Sequence, residues 1–365
     1  MTPFLLPYRK HIASQTSVVQ LEYPTTDESL KPLPKPGENW TRFVLISDTH
    51  TSTFDVPDGD VLIHAGDLTH MGTLKEFETT MEWLYALPHP VKIVIAGNHD
   101  HALDRKWYTD NWHRLHIQEE PEPAESIREL FKGRRAIDAN IIYLEGEEYR
   151  FCVREGGKEW SVYGSPVTFL IPIRLRVMML ISAKCTPVSR GWAFGYKAAD
   201  AEGISSRFVL LDKMVITQTA LVSSFPKTDI LLTHGPPHDV LDVINGARKK
   251  RGGCPALAAR VPKLKPRLHV FGHIHEARGA YVHLWNTDAP PSAQNAVQFK
   301  DQDDNENLGM FPPNLEEPIA DGDFREQTLF VNAANSPSGP ESRRDGEKVK
   351  VGASPFQPII VDLKE

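Results

Sequence analysis

The sequence predicts an α/β protein in which helices cover a layered sheet. Short apolar runs, of the kind that form strands buried on both faces, recur along its 365 residues. The second and third runs enclose a segment whose apolar residues have helical spacing, which makes a βαβ unit and indicates helices outside a sheet. Several runs end in Asp, Asn or His, at the strand ends where open α/β sheets bind ligands.

The first elements lie between residues 43 and 98. Strands are predicted over Phe43–Asp48, Val61–Asp67 and Val91–Asn98, because each is an apolar run closed by polar residues. The segment Thr73–Leu87, between the last two strands, is predicted to be a helix. The apolar residues at helical spacing that predict it are Leu74, Phe77, Met81, Leu84 and Tyr85.

Further apolar runs predict the remaining strands. They are Asn140–Leu144, Glu159–Tyr163, Asp229–Thr233, Leu268–Gly272, Tyr281–Leu284, Thr328–Val331 and Pro358–Leu363. Residues 1–40 carry many prolines and are interpreted as an extended leader, so that residues 41–365 form the single predicted domain. Residues 286–327 are rich in Asp, Asn, Pro and Glu and predict a long mobile insertion, and residues 336–349 predict an exposed loop.

Composition narrows the class of protein. The formal net charge of −7 argues against a protein that coats nucleic-acid polymers, because phosphate backbones need basic patches. The three cysteines form no C-x-x-C pair, which favours a reducing compartment over a disulfide framework.

The longest apolar stretch, Val167–Ile181, is interrupted by Pro172, Arg174 and Arg176 and is too charged for a membrane span. With no evident secretory signal, we expect a cytoplasmic protein; the composition leaves its oligomeric state open.

Five predicted strands end in candidate metal ligands. These ends read Asp48-Thr49-His50, Gly66-Asp67, Gly97-Asn98-His99-Asp100, Thr233-His234-Gly235 and Gly272-His273-Ile274-His275. Because strand ends converge in one crevice, they can bring together Asp48, His50, Asp67, Asn98, His234, His273 and His275. Residues two apart in a strand point to the same side, so Asp48 and His50 can bind one ion together.

The donor types indicate which metals would bind. Oxygen and imidazole donors without thiolate suit manganese, iron or zinc rather than a structural zinc site. Seven protein donors are too many for one catalytic ion with an open position. Shared between two ions with one bridging carboxylate, they suit a two-metal hydrolase.

These motifs resemble the signature of the calcineurin-like metallophosphoesterases: D-x-H, G-D, G-N-H-[DE], H-G and G-H-x-H. All of its elements are present in order between Asp48 and His275. The resemblance implies a four-layer α/β/β/α sandwich of two mixed sheets flanked by helices. It also implies a binuclear site that holds two divalent metal ions, with Mn²⁺ as the first expectation and Fe or Zn as alternatives.

The same resemblance implies a role for each residue. Asp48, His50 and His275 are similar to the ligands of the first metal; Asn98, His234 and His273 are similar to those of the second. Asp67 resembles the bridging carboxylate, and the implied nucleophile is a metal-bridging hydroxide. His99 is similar to the non-ligand histidine that protonates the leaving oxygen. Asp100 is expected to orient His99 through a hydrogen bond.

Other strings favour one branch of the family. Tyr163-Gly164-Ser165-Pro166, Gly191-Trp192-Ala193-Phe194 and Thr233-His234-Gly235-Pro236-Pro237 resemble the small metallophosphoesterase-domain proteins of animals and fungi, a group related to class III cyclic nucleotide phosphodiesterases. The implied activity is hydrolysis of a small phosphodiester. Two alternatives stay open: a non-catalytic scaffold on the same fold, and a protein serine/threonine phosphatase. The phosphatase is disfavoured because no arginine directly follows Asp100.

Some residues depart from the family pattern or are left unassigned by it. The family places the Trp-Ala-Phe element soon after Gly164-Ser165-Pro166, whereas here residues 167–190 intervene. Three interpretations of this insertion stay open: it caps the site, it docks a membrane or a partner, or it is a translated intron.

His64 is interpreted as a core residue with its hydrogen bonds satisfied. His70 and His101 flank the motifs and could approach a substrate.

Overall fold

The computed structural model describes residues 11–13, 16–26, 29–115, 120–168, 194, 221–244, 250–285, 326–344 and 346–365. The predicted insertions at 167–190 and 286–327 therefore lie almost entirely outside the described residues. No helix in the described ranges has the length and apolar character needed to cross a membrane.

The described part of the chain contains nineteen strands, five α-helices and a further helical segment at residues 221–223. The strands are β1 (His11–Ala13), β2 (Ser17–Gln20), β3 (Thr25–Thr26), β4 (Ser29–Leu30), β5 (Trp40–Ile46), β6 (Val61–His64), β7 (Val91–Val94), β8 (Ile141–Tyr143), β9 (Glu147–Phe151), β10 (Trp160–Ser165), β11 (Ile230–Thr233), β12 (Val243–Ile244), β13 (Lys250–Arg251), β14 (Leu268–Phe271), β15 (Gly279–Leu284), β16 (Gln327–Asn332), β17 (Arg343–Arg344), β18 (Glu347–Lys348) and β19 (Ile359–Lys364). The helices are α1 (Leu74–Ala86), α2 (Arg105–Leu115), α3 (Ala124–Lys132), α4 (Arg134–Asp138) and α5 (Pro255–Leu264), with 3₁₀ turns at His101–Leu103, His275–Ala277 and Pro340–Ser342.

Two mixed sheets carry the fold. The first has the order β1-β2-β19-β5-β6-β7-β8, and its strands β5 to β8 run parallel. The second has the order β15-β16-β14-β11-β10-β9, with a parallel centre and an antiparallel strand at each edge. Both parallel centres are made of the predicted apolar runs, which are buried along most of their length.

Three apolar clusters define four layers. The cluster between the sheets joins Phe43, Leu45 and Ile63 of the first sheet to Val162 and Leu268 of the second. A second cluster packs α1, α2 and α3 on the outer face of the first sheet, and a third packs α5 on the outer face of the second. The predicted α/β/β/α sandwich is therefore confirmed.

Helix α1 forms for the reason that its spacing predicts. Phe77, Met81 and Leu84 are buried against the first sheet. The helix begins with a capping box, in which the Thr73 hydroxyl accepts from the Glu76 amide and the Glu76 carboxylate accepts from the Thr73 amide. A cap of this kind typically contributes about 1 kcal/mol.

The interpretation of residues 1–40 as a leader outside the core is wrong for residues 17–23. Strand β2 pairs with the C-terminal strand β19, and Val19 and Leu21 lie in the cluster between the sheets. The Tyr23 hydroxyl donates to the Pro358 carbonyl at 2.8 Å. Because these partners lie more than 300 residues away in the sequence, the local proline content could not reveal the pairing. The other domain boundaries stay predictions.

The polar tract after β16 is largely exposed, as predicted. Residues 340–348 form a 3₁₀ turn and the short β17–β18 hairpin. The tract begins, however, against the core: the Ser336 hydroxyl donates to the Asp48 carbonyl at 2.7 Å. This C-terminal segment therefore supports the first predicted metal ligand.

Candidate metal centre

The seven predicted donors follow the carboxyl ends of five parallel strands. Asp48 and His50 follow β5, Asp67 follows β6 and Asn98 follows β7, while His234 follows β11 and the pair His273 and His275 follows β14. The two sheets pack face to face, so these ends meet on one side of the sandwich. Packing of the sheets thus brings together residues that are more than 200 positions apart.

The backbone at these strand ends is unusual. Asp48, His50, Asp67 and His273 all have positive φ angles, between 46° and 67°. Residues other than glycine rarely adopt this left-handed region, and such strain concentrates at functional sites, where the surrounding structure enforces it. Each of these residues follows a strand, so the strained backbone turns its side chain into the crevice beyond the strand end.

Two glycines allow the strand ends to approach each other. A Cβ atom on Gly97 would lie 2.3 Å from Oδ1 of Asp67, and one on Gly272 would lie 2.1 Å from Oδ2 of Asp48. No side chain fits at such distances. The glycines of the G-N-H and G-H-x-H motifs are thus required because a neighbouring ligand occupies the space.

Asp48, His50 and His275 form the first donor group. Their ligand atoms all lie within 4.8 Å of one another. Nε2 of His275 is 3.0 Å from Oδ1 of Asp48 and 3.4 Å from Nε2 of His50. The amide of His273 also donates to the Asp48 carboxylate, at 3.0 Å.

Asp67, His234 and His273 form the second donor group, and their ligand atoms likewise lie within 4.8 Å of one another. Nε2 of His234 is 3.3 Å from Oδ1 of Asp67. Oδ1 of Asn98 is 3.1 Å from the same nitrogen, which places the predicted amide ligand in this group. With Asp67 counted as the bridging ligand, the second group therefore contains all four residues that the resemblance assigns to the second metal.

Asp67 lies between the two groups. Its Oδ1 faces His234 at 3.3 Å, and its Oδ2 lies 3.9 Å from Nε2 of His50. One carboxylate thus presents an oxygen to each group, as a bridging ligand must. The structure brings all seven predicted donors together in this arrangement; that they bind metal ions stays a prediction.

The imidazole orientations fit metal binding. Nδ1 of His50 is 3.1 Å from the Thr69 carbonyl, and Nδ1 of His234 is 2.8 Å from the Ala65 carbonyl. A carbonyl only accepts hydrogen bonds, so each Nδ1 carries a proton, and the neutral form of each ring presents the lone pair of Nε2 to its donor group. Main-chain carbonyls commonly fix metal-binding histidines in this way. The donor set and its tautomers therefore fit divalent cations.

The two carboxylates and the histidines perturb one another strongly. Burial raises the pKa of Asp48. The charge and hydrogen bond of His275 lower that pKa by more than burial raises it, so the net pKa lies well below its usual value. Burial likewise opposes ionisation of Asp67, and the charge of His234 overcomes it, so the pKa of Asp67 is also well below normal. Burial lowers the pKa of His234, whereas Asp67 and Asp48 raise it, to a net value of about 9. The carboxylates are therefore ionised and hold cationic partners at this site.

His99 lies beside the first group rather than in either predicted metal set. Its ring centroid is 4.8 Å from that of His50, and its amide donates to Oδ1 of Asp67 at 2.8 Å. Nδ1 of His99 donates to the His70 carbonyl at 2.8 Å. A proton for a substrate would therefore have to come from Nε2.

The expectation that Asp100 orients His99 by a hydrogen bond is wrong. The buried Asp100 carboxylate accepts from the amides of Leu68, Thr69 and Gly97 and from the Thr69 hydroxyl, at 2.7 to 3.2 Å. Asp100 thus ties the turn that carries Asp67 to the turn that carries Asn98. Burial and the Asp67 charge raise its pKa to about 7, although these donors act in the opposite direction.

Three consecutive carbonyls orient three histidines. Thr69, His70 and Met71 accept from Nδ1 of His50, His99 and His101, respectively, at 2.8 to 3.1 Å. This role of residues 69–71 has no sequence signature, because a main-chain carbonyl leaves no mark on the residue type.

Asn335 is a supporting residue that the sequence could have revealed. Its Oδ1 accepts from the Ser47 amide at 3.1 Å, and it is fully buried. It follows the predicted strand Thr328–Val331, so the strand-end rule that found the ligands also applied here.

The remaining histidines near the motifs divide into core and surface. His64 is fully buried, with Nε2 3.0 Å from the Thr49 hydroxyl and Nδ1 accepting from the Gly66 amide. Its interpretation as a satisfied core residue is confirmed. His101 is also buried and stacks on Trp107, whereas the His70 ring is exposed beside His50 and His99.

Comparisons with known proteins give the same family as the motifs. A family model described as calcineurin-like phosphoesterase matches residues 41–164. Metallophosphoesterase domain-containing protein 1 from Homo sapiens is 34% identical over 268 residues, which are 72% of this chain and 67% of that protein. A UPF0046 protein from Caenorhabditis elegans is 28% identical over 272 residues, 74% of this chain and 72% of that protein. A solved structure of a Thermus thermophilus protein, at 11% identity, aligns with a TM-score of 0.35 over 67% of this chain and 84% of its own. The motifs, the converging donors and the relatives agree: the chain belongs to the calcineurin-like phosphoesterase family.

Proposed function

We propose that this protein hydrolyses a small phosphodiester in a metal-dependent reaction at a binuclear centre. The position of Asp67 carries the proposal, because its two carboxylate oxygens face the two donor groups, 3.3 Å from His234 and 3.9 Å from His50. A carboxylate placed in this way would be within reach of both ions if both donor groups were occupied.

Each ion has its own candidate donor group in this proposal. Asp48, His50 and His275 would hold the first, while Asn98, His234 and His273 would hold the second. When bound, two divalent ions supply positive charge that neutralises the phosphoryl oxygens and lowers the pKa of the attacking water. We propose Mn²⁺ as the ion, with Fe or Zn as alternatives, because the donors are oxygen and imidazole.

His99 supplies the proton in this proposal. Its Nδ1–H bond to the His70 carbonyl fixes the ring, so that the imidazolium form holds its second proton on Nε2, beside the first donor group. Transfer of that proton to the leaving oxygen avoids the release of an alkoxide. General acid catalysis of this kind contributes about 10²–10⁴-fold to a rate.

The preference for a diester rests on the resemblance to the branch related to cyclic nucleotide phosphodiesterases. The relatives' names support phosphoester chemistry only in general. A diester with an alkyl leaving group also makes the strongest use of a positioned acid such as His99.

Activity assays test the proposal directly. Protein stripped with a chelator and reloaded with Mn²⁺ is assayed on bis-p-nitrophenyl phosphate, on 2′,3′- and 3′,5′-cyclic nucleotides, on p-nitrophenyl phosphate and on a phosphoserine peptide. The expected result is turnover of at least one diester at a higher kcat/KM than the monoester or the peptide. The Asp67→Ala variant, purified identically, controls for contaminating hydrolases.

Each alternative has its own signature in this assay. Turnover of the phosphopeptide alone would favour a protein phosphatase and contradict the diester proposal. A folded, metal-loaded sample with no turnover on any substrate would contradict the enzyme and favour the scaffold.

A further inference from the structure

A third group of metal-binding side chains lies beside the two predicted sets. The ligand atoms of His50, His70 and His99 all lie within 4.8 Å of one another. Their ring centroids are 4.8 Å apart for His50 and His99, 5.7 Å for His70 and His99, and 5.8 Å for His50 and His70. We name these three residues the outer histidine cluster. His70 is in neither metal set, and the phosphoesterase motifs assign it no role.

The tautomer of His99 suits a metal ligand as well as an acid. Its Nδ1–H donates to the His70 carbonyl at 2.8 Å, so the neutral ring presents the lone pair of Nε2. His50 and His234 have the same arrangement, each with Nδ1–H on a main-chain carbonyl. In the neutral form, His99 is thus prepared as the predicted metal ligands are.

The main chain holds His70 in place although its ring is exposed. Immediately before it, the amide and hydroxyl of Thr69 donate to Asp100 at 2.9 and 2.7 Å. Immediately after it, the Met71 amide donates to the Glu76 carboxylate at 3.1 Å, and the Met71 carbonyl accepts from His101. An imidazole on a fixed backbone, open to solvent and close to two others, can capture an ion from solution at little entropic cost.

His50 is only a partial member of the outer cluster. Its Nε2 lies 3.4 Å from Nε2 of His275 and belongs to the first donor group. One nitrogen cannot bind two ions, so an ion in the outer cluster would depend on His70 and His99, completed by water. Fewer protein ligands mean weaker binding than at the two predicted sites.

We propose that the outer histidine cluster binds a third divalent ion of the class that prefers imidazole, such as Zn²⁺, once the two inner sites are filled. This ion would take the Nε2 lone pair of His99, and that nitrogen could then no longer carry the proton for the leaving group. Excess zinc would therefore inhibit hydrolysis. The inhibition rests on the proposed function, whereas the binding site itself does not.

Equilibrium dialysis tests the site without reference to activity. Protein loaded with Mn²⁺ is dialysed against increasing Zn²⁺, and total bound metal is measured by elemental analysis. We expect the original chain to bind one more ion than His70→Gln at saturation. His113→Gln, a change of an exposed histidine in α2, should bind as many ions as the original chain. Equal stoichiometry in the original chain and His70→Gln would overturn the site.

Inhibition provides the second readout. The rate of each variant in Mn²⁺ alone is its own reference, because His70 stacks beside the proposed acid His99 and a changed side chain there can alter the rate without Zn²⁺. In added Zn²⁺, the inhibitory concentration should rise at least tenfold in His70→Gln and stay unchanged in His113→Gln. Equal inhibition of all three would contradict the proposed blockade of His99. A chain without turnover would contradict the proposed function alone, since dialysis still decides the site.

Discussion

Oδ1 of Asp67 lies 3.3 Å from Nε2 of His234, and both side chains are buried. Burial lowers the pKa of His234, but the carboxylates raise it more, to about 9. Without metal, His234 is therefore protonated at neutral pH and supplies a positive charge beside the Asp67 carboxylate. We therefore expect metal binding at this site to displace a proton.

Metal affinity should consequently rise with pH. A metal ion needs the neutral imidazole, so binding at pH 7 must release the proton of His234. We expect the apparent association constant to rise about tenfold per pH unit below pH 9 for each proton released. Titration calorimetry in buffers of different ionisation enthalpy measures the protons released. No net release at pH 7 would contradict the assignment.

The free energy of unfolding of the metal-free protein should fall as the pH rises, whereas metal affinity rises. The pKa of His234 is raised from 6.5 to about 9 by folding. Protonation of His234 therefore stabilises the fold fully below pH 6.5, and this contribution is lost as the pH rises through about 9. Urea unfolding of chelator-treated protein at pH 6.5, 7.5 and 8.5 measures the trend, and His234→Asn should flatten it.

Asp67→Ala should remove both metal ions. The variant loses the carboxylate whose two oxygens face the two donor groups, so each predicted site loses a charged ligand. Elemental analysis after dialysis should show less than half of the original metal content, and activity should fall to background. The circular dichroism spectrum controls for folding. Retention of a full complement of ions would contradict a bridging role.

His99→Gln should spare metal binding and slow the reaction. We expect a loss of about 10²–10⁴-fold in kcat on a diester with an alkyl leaving group. The loss should be much smaller on bis-p-nitrophenyl phosphate, because p-nitrophenolate leaves without protonation. If His99→Gln lost as much metal as Asp67→Ala, His99 would be a metal ligand, which would contradict its separate role. Equal rate losses on the two substrates would contradict the role of His99 as general acid.

Asp100→Ala should destabilise the site rather than remove a reacting group. The change leaves up to four buried donors, from Leu68, Thr69 and Gly97, without their acceptor. Each such donor costs about 1–3 kcal/mol, so we expect a loss of several kcal/mol in the free energy of unfolding, measured in urea. Asp100→Asn retains one acceptor oxygen and should lose less. A stable Asp100→Ala variant with reduced kcat alone would restore a direct catalytic role.

The insertion after Pro166 should be removable. The Thr168 amide donates to the Phe194 carbonyl at 3.4 Å, and the Phe194 amide donates to Asp104 at 2.9 Å, so the structure holds both ends of the intervening segment. Deleting residues 170–185 would leave a connection of about nine residues, and the shorter loop should lower the closure cost by about 1 kcal/mol. We expect an unchanged or higher melting temperature and retained activity. Loss of folding would show that the segment contributes to the core.

The sequence by itself determined the chemistry of the site and the central strands. Asp48, His50, Asp67 and the other donors follow apolar runs whose burial on both faces makes them central parallel strands. The carboxyl ends of such strands meet at one edge because the βαβ connection leaves no other arrangement. The residue types then specify oxygen and imidazole ligands, so motif and spacing together predict a binuclear site.

Only the tertiary structure decided how that site is supported. The carbonyls of residues 69–71 orient three histidines, Asp100 joins two turns instead of serving His99, and β2 pairs with β19 from the opposite end of the chain. None of these contacts has a sequence signature, because every residue carries the same carbonyl and strand pairing across 340 positions depends on the packed sheet. The exposed His70 likewise gained its place beside His50 and His99 from the fold alone.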